Sequence, residues 1–204
     1  MAQIGIMGGT FNPIHLGHIK LALTAYKELN LDKIWFMPSK TPPHKDNSTI
    51  VDQHYRVEMI NLAIANYSFF ELSDLELKRE GITYTSQTLE YLSTEYTDDT
   101  FYFIIGSDSL YDLESWNRPH VLFKLAHFVV ACRDDIGYKQ LDEQCRYLRL
   151  KYGAIIDIIH MDKIDISSSF IREKYACNIN FSDYNKYVDE KVDNYIILND
   201  LYKK

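Results

Sequence analysis

The sequence predicts an α/β fold: a Rossmann-like doubly wound parallel sheet with helices on both faces and a small helical part at the C-terminus. Three observations carry this. Short apolar runs alternate with amphipathic stretches along nearly the whole chain, the order from which parallel sheets are built. The strongest runs, such as "TFYFIIG" at 100–106, are apolar throughout, as expected where both faces of a sheet are covered. No repeat, low-complexity stretch or linker interrupts the order, so residues 1–204 are expected to form one domain, with 167–204 as a helical part packed on it.

Taken in order, Gln3–Met7 reads as a buried strand stopped by Gly8-Gly9. "LGHIKLALTAYKEL" follows as a helix, with Leu16, Ile19, Leu23 and Tyr26 at helical spacing. "KIWFMP" is a second strand, ended by Pro38, and leads into the polar loop "SKTPPHKDNST". "VDQHYRVEMINLAIAN" is a second amphipathic helix and "FFELS" a third strand. Thr83 or Thr85 is placed to cap a helix that carries Leu89 and Leu92 on one face. "TFYFIIG" and "HFVVACR" are the fourth and fifth strands. "KQLDEQCRYLRLKYG" is a helix with Gly153 as its C-terminal stop, and "AIIDIIH" a sixth strand. "SSSFIREKY" opens a helix, and the tail sets Val188, Val192, Tyr195 and Ile196 on one face.

Composition narrows the partners. Hydrophobic residues make up 46% of the 204, enough for a substantial core without disulfides or metal. The net charge of −7 argues against a broad nucleic-acid footprint but leaves room for a small anionic ligand. Cys132, Cys145 and Cys177 are scattered and form no CxxC pair, which fits reduced thiols in a cytoplasmic protein. "MAQIGIMGG" lacks the basic start and apolar run of a signal peptide, and no stretch is long and apolar enough for a membrane span. Oligomeric state is left open, a homo-oligomer included.

In a sheet of this kind ligands bind beyond the carboxyl ends of the strands. The loop after the first strand, "GGTFNPIHLGH", is neither a P-loop nor a GxGxxG fingerprint. Gly8 and Gly9 let backbone approach a ligand, and His15 and His18, three apart, share a face in a helical first turn. Two such imidazoles suit phosphate oxygens at a helix N-terminus, or a zinc ion, although no third-ligand pattern accompanies them. The loop after the sixth strand, "ISSSFIR", runs serines into a helix start, with Ser167 or Ser168 as N-cap and Arg172 over the same turn. Hydroxyls, amides and a guanidinium there form an anion site, although by itself the stretch reads slightly better as a plain cap with a surface arginine.

"GGTFNPIHLGH" resembles the (T/H)xGH signature of the nucleotidyltransferase α/β-phosphodiesterase superfamily, and "ISSSFIR" resembles its second signature. Between them, "PSKTPPHK", "YRVEM", "GITYTSQTLEYL", "FIIGSDSLYDLESW" and "HFVVACR", with the terminal "VDNYIILNDLY", are similar to its nicotinate mononucleotide adenylyltransferase branch. The resemblance covers nearly the whole chain. It implies an enzyme of NAD biosynthesis that joins nicotinate mononucleotide to ATP, giving nicotinate adenine dinucleotide and pyrophosphate, with Mg²⁺ on ATP. It further implies that His15, His18 and Arg172 are catalytic. Gly8, Gly9, Thr10, Phe11, Ile104, Gly106, Asp108, Ile166, Ser167 and Ser168 would meet ATP, and His44, Lys45, Tyr84, Thr85 and Trp116 the acceptor. Taken alone, Lys45 reads as a solvated loop residue and Trp116 as core or lid; their roles come only with the resemblance. Other acceptors (nicotinamide mononucleotide, phosphopantetheine) and a nucleotide sensor without catalysis are the alternatives. Asn12 stands where the family commonly has Asp, and Asp189 near a usual Pro.

Overall fold

A computed structural model describes residues 1–41, 49–132, 135–162, 165–177 and 187–203. Six parallel strands form one sheet: β1 (Gln3–Gly9), β2 (Lys33–Pro38), β3 (Phe70–Leu72), β4 (Thr100–Gly106), β5 (His127–Cys132) and β6 (Ile156–His160). Their order is β3-β2-β1-β4-β5-β6, so the direction of winding reverses between β1 and β4. In register, Met7 lies beside Ile104, and Gly9 lies beside Pro38 on the other side.

Strand side chains alternate between two cores. Met7, Phe36, Ile104, Val129 and Ile159 face one layer. That layer is built by α1 (Leu16–Glu28), α2 (Gln53–Ile64), α7 (Ser168–Ala176) and α8 (Glu190–Leu198). Ile6, Trp35, Phe103, Phe128 and Val130 face the other. It holds α3 (Thr85–Glu95), α4 (Ser107–Asp112), a 3-10 turn at Leu113–Ser115, α5 (Pro119–Leu125) and α6 (Asp135–Tyr152). Successive residues on β5 thus enter opposite cores, which is why the run "HFVVAC" has no polar side. Ile171, Tyr175, Val192 and Ile196 lie in the same core as Met7 and Ile19.

The structure differs from the sequence reading in several places, among them β1, which runs on through Gly8 and Gly9 instead of stopping at them. Helices α4 and α5 occupy a stretch with no predicted element; six and seven residues are too few to display a helical period. Helix α6 begins at Asp135, ahead of its apolar stripe. The buried face of α1 is Ile19, Leu21, Ala22 and Ala25, with Leu23 and Tyr26 only half-buried, because small alanines let the helix lie close on the sheet. Tyr84, not a threonine, is the N-cap of α3, and its side chain makes no capping hydrogen bond. Elsewhere the local chemistry acts as expected: Gly153 takes φ 66° after α6, and its N–H reaches the Arg149 carbonyl. Asp189 caps α8 by accepting from the Lys191 N–H at 2.9 Å. Among the described residues no helix is long and apolar enough to cross a membrane.

Candidate active site

A cleft of about 720 Å³ opens at the carboxyl ends of β1 and β4, where the winding reverses. Gly8, Gly9, Thr10, His15 and His18 line it from the first loop, and Ile104, Gly106 and Asp108 from the end of β4. Ile166, Ser167, Ser168 and Arg172 line it from the last loop, and Tyr84, Thr85 and Trp116 complete the wall. Phe11 does not line it: its ring is buried and packs edge-on to His18 at 5.1 Å. His44 and Lys45 lie outside the described residues.

The two histidines form one unit. His15 is the N-cap of α1 and His18 its third residue. The His15 Nδ1 accepts from the His18 N–H at 3.3 Å, and the His18 Nδ1 accepts from the His15 N–H at 3.2 Å. This is a capping box made of imidazoles in place of the usual hydroxyl and carboxylate. The rings stack with centroids 3.6 Å apart. Because each Nδ1 accepts a backbone proton, each neutral ring carries its own proton on Nε2, which makes that nitrogen a donor. Gly17 is part of the design, since a Cβ there would stand 3.0 Å from the His15 Nδ1.

The two loops that carry the signatures are bonded directly to each other. The Ser168 hydroxyl donates to the Pro13 carbonyl at 2.9 Å, across 155 residues of chain. Arg172 Nη1 donates to the Asn12 carbonyl at 2.9 Å. Ser167 caps α7 by accepting from the Phe170 N–H. Asn12 acquires a structural role as well. Its Nδ2 donates to the Thr49 carbonyl, and its Oδ1 accepts from the Val51 N–H and the Tyr202 hydroxyl. Burial pushes the Tyr202 phenol well above its ordinary range, so it stays a donor. An aspartate at position 12 would set an oxygen against the Thr49 carbonyl, which accounts for the amide here.

Around Tyr84 and Thr85 a second group gathers. Trp116 meets Phe103 edge-on at 6.2 Å. The wholly buried Ser86 donates to the Asn117 Oδ1 at 2.8 Å. Glu76 lines the cleft and is buried, accepting from the Thr88 hydroxyl at 2.8 Å. Desolvation holds its carboxyl above the ordinary range, against the opposing effects of Thr88, Arg79 and Thr83. A carboxyl raised in the folded state ionises more readily unfolded, so its contribution to stability falls as pH rises through the carboxylate range. Glu76→Gln, which keeps an acceptor for Thr88, is therefore expected to gain Tm relative to wild type as pH rises through that range, with no gain in stronger acid. Parallel Tm curves for the two proteins would remove burial as the cause.

Sequence reasoning missed Glu76, Asn117 and Arg56. A usable signal existed for Arg56: it continues the stripe Met59, Ile60 and Ala63 on the buried side of α2, where a charge is out of place. Nothing local marks Glu76 or Asn117.

Comparison with known proteins fits this geometry. The cytidylyltransferase-like family model matches residues 6–174. A protein of Lachnoclostridium phytofermentans named "Probable nicotinate-nucleotide adenylyltransferase" is 44% identical over 174 residues, 85% of this chain and 87% of its own. One of the same name from Carboxydothermus hydrogenoformans is 37% identical over 99% of this chain and 98% of its own. Among solved structures, Plasmodium falciparum nicotinic acid mononucleotide adenylyltransferase, complexed with APC and with NaAD, superposes with a TM-score of 0.80 at 25% identity. That match covers 99% of this chain and 98% of the other.

Proposed function

The chain belongs to the cytidylyltransferase-like family and, within it, to the nicotinate-nucleotide adenylyltransferases, and from that premise we propose how this cleft joins nicotinate mononucleotide to ATP. One observation carries the reading: both signature loops are hydrogen-bonded into a single wall, with imidazoles, hydroxyls and a guanidinium on one cleft. That set of donors suits a triphosphate. The cleft volume also falls in the range of small-molecule sites.

The nucleophile is the 5′-phosphate of nicotinate mononucleotide. Its second pKa is about 6, by analogy with phosphorylated side chains, so at neutral pH it needs no general base. An oxygen of that phosphate forms a bond to the α-phosphorus of ATP, the bond from that phosphorus to the β-bridging oxygen breaks, and pyrophosphate leaves with the electron pair. The protein's work is to align two polyanions and to stabilise charge on the α-phosphate and the leaving group.

His15 and His18 donate from Nε2 to ATP phosphates, His18 to the α-phosphate. Backbone at Gly8–Thr10 and the Thr10 side chain flank the triphosphate. The Ser167 hydroxyl, the Ser168 backbone N–H at the start of α7 and Arg172, with Ile166 beside them, take the β,γ-phosphates. Ile104, Gly106 and Asp108 line the junction of the nucleotides. Mg²⁺ carried on ATP would add to the neutralisation of charge on the triphosphate. On the acceptor side Trp116 offers a face for the pyridinium ring, and the start of α3 at Tyr84–Thr85 offers backbone N–H groups to the carboxylate. His44 and Lys45 are assigned to the same substrate by the resemblance alone.

The test is pyrophosphate release from MgATP with nicotinate mononucleotide, nicotinamide mononucleotide and phosphopantetheine supplied separately. The acid is expected to give the highest kcat/KM, because an amide brings N–H donors to a place that already has them. Equal kcat/KM for acid and amide would sink the carboxylate assignment, and no turnover with any acceptor would leave a nucleotide sensor.

A further inference from the structure

Arg56 is only 2% exposed and does not itself line the cleft, yet it bonds to residues that do. Its Nη1 donates to the Thr10 carbonyl and to the Ser39 carbonyl, both at 2.9 Å, and its Nε donates to the Val51 carbonyl at 3.3 Å. Thr10 belongs to the loop that follows β1, and Ser39 opens the segment that follows β2. Both residues line the cleft. The Ser39 N–H also donates to the Gly9 carbonyl at 2.9 Å, so the two segments are joined at one point with Arg56 behind them.

Its three hydrogen-bond partners among the described residues are neutral carbonyls. Among the described residues none of the ion pairs includes Arg56. Burial pulls the guanidinium below its ordinary value, but arginine starts so high that it remains a cation. The exposed Asp52 acts on it electrostatically without forming an ion pair, and a buried cation held directly only by carbonyls is a poor way to stabilise a core. Behind a loop that meets phosphates, the same charge and fork have a use.

We propose that Arg56 is a positioning residue for adenylyl transfer, holding the ATP-side loop at Thr10 and the acceptor-side segment at Ser39 in one register through a single planar guanidinium. Both loops must be correct together, since in-line attack depends on the relative placement of two substrates. A fixed positive charge beneath the loops adds to the same end. The inference rests on the function proposed above.

The experiment measures kcat and both KM values for wild type, Arg56→Lys and Arg56→Gln, per folded protein and below each Tm. Lysine keeps the charge without the fork; glutamine loses the charge as well. Arg56→Lys is expected to lose about tenfold in kcat and Arg56→Gln more, with each KM within about threefold of wild type. A residue that served stability alone would lower Tm and leave kcat of the folded fraction unchanged. Wild-type kcat in either folded variant overturns the proposal. Failure of both to fold also overturns it, by assigning Arg56 to the core. Absence of turnover in the wild type would instead count against the adenylyltransferase reading itself.

Discussion

His18→Ala is expected to lose about 10²- to 10³-fold in kcat while the KM for nicotinate mononucleotide hardly moves, the scale seen when one preorganised donor to a developing charge is removed. The geometry explains why His18 should matter more than a helix-start residue ordinarily does. Its Nδ1 is engaged by the His15 N–H, its ring is stacked on His15 and backed by Phe11, and so the direction of Nε2 is set before ATP arrives. Such a donor needs little reorganisation at the moment of reaction. The complication is that His18 is also half of the capping box, and losing a cap costs about 1 kcal/mol of stability. His18→Gln separates the two effects. Glutamine at the third helical position can return the bond to the N-cap N–H, but its amide is not an imidazole aimed into the cleft. Both variants should therefore lose kcat alike, whereas Tm should fall chiefly in His18→Ala. An active His18→Gln enzyme would show that the histidine serves the helix rather than the α-phosphate.

Much of this molecule is legible in its sequence because its signals are local. The runs "KIWFMP" and "TFYFIIG" coincide with β2 and β4 from end to end, since a doubly covered strand must be apolar and must stop at Pro38 or Gly106. Spacing alone places His15 and His18 together. It cannot reveal that they cap each other, because histidine is not among the favoured N-cap residues. What stays hidden depends on distant backbone. Asn12 takes its meaning from Thr49, Val51 and Tyr202, the last 190 residues away, and Arg56 from carbonyls at Thr10 and Ser39. A carbonyl exists at every position, so no residue type advertises it as a partner. Helices α4 and α5 fall between these cases. The Pro at the start of α5 is a recognisable helix signal, but seven residues give it too little pattern to stand on.

Arg172→Ala is expected to lose about 10³-fold or more in kcat, in the range found when an arginine that stabilises transferring phosphate is removed. The forward rate alone cannot say why, because Arg172 also holds the Asn12 carbonyl at 2.9 Å and so helps shape the first loop. The reverse reaction separates the two. If Arg172 holds the phosphates that become pyrophosphate, the variant should need far more pyrophosphate to make ATP from nicotinate adenine dinucleotide, while the KM for the dinucleotide stays near wild type. A misplaced first loop predicts a different pattern, with both KM values rising together, since the proposed ATP-side contacts of Gly8–Thr10 would be disturbed in either direction. Arg172→Lys sharpens the comparison. Lysine restores a point charge for pyrophosphate but cannot engage a carbonyl and a phosphate with one planar fork. It should therefore recover part of the pyrophosphate affinity and little of kcat. A pyrophosphate KM unchanged in Arg172→Ala would remove the arginine from the leaving group and leave it as a tie between the two signature loops.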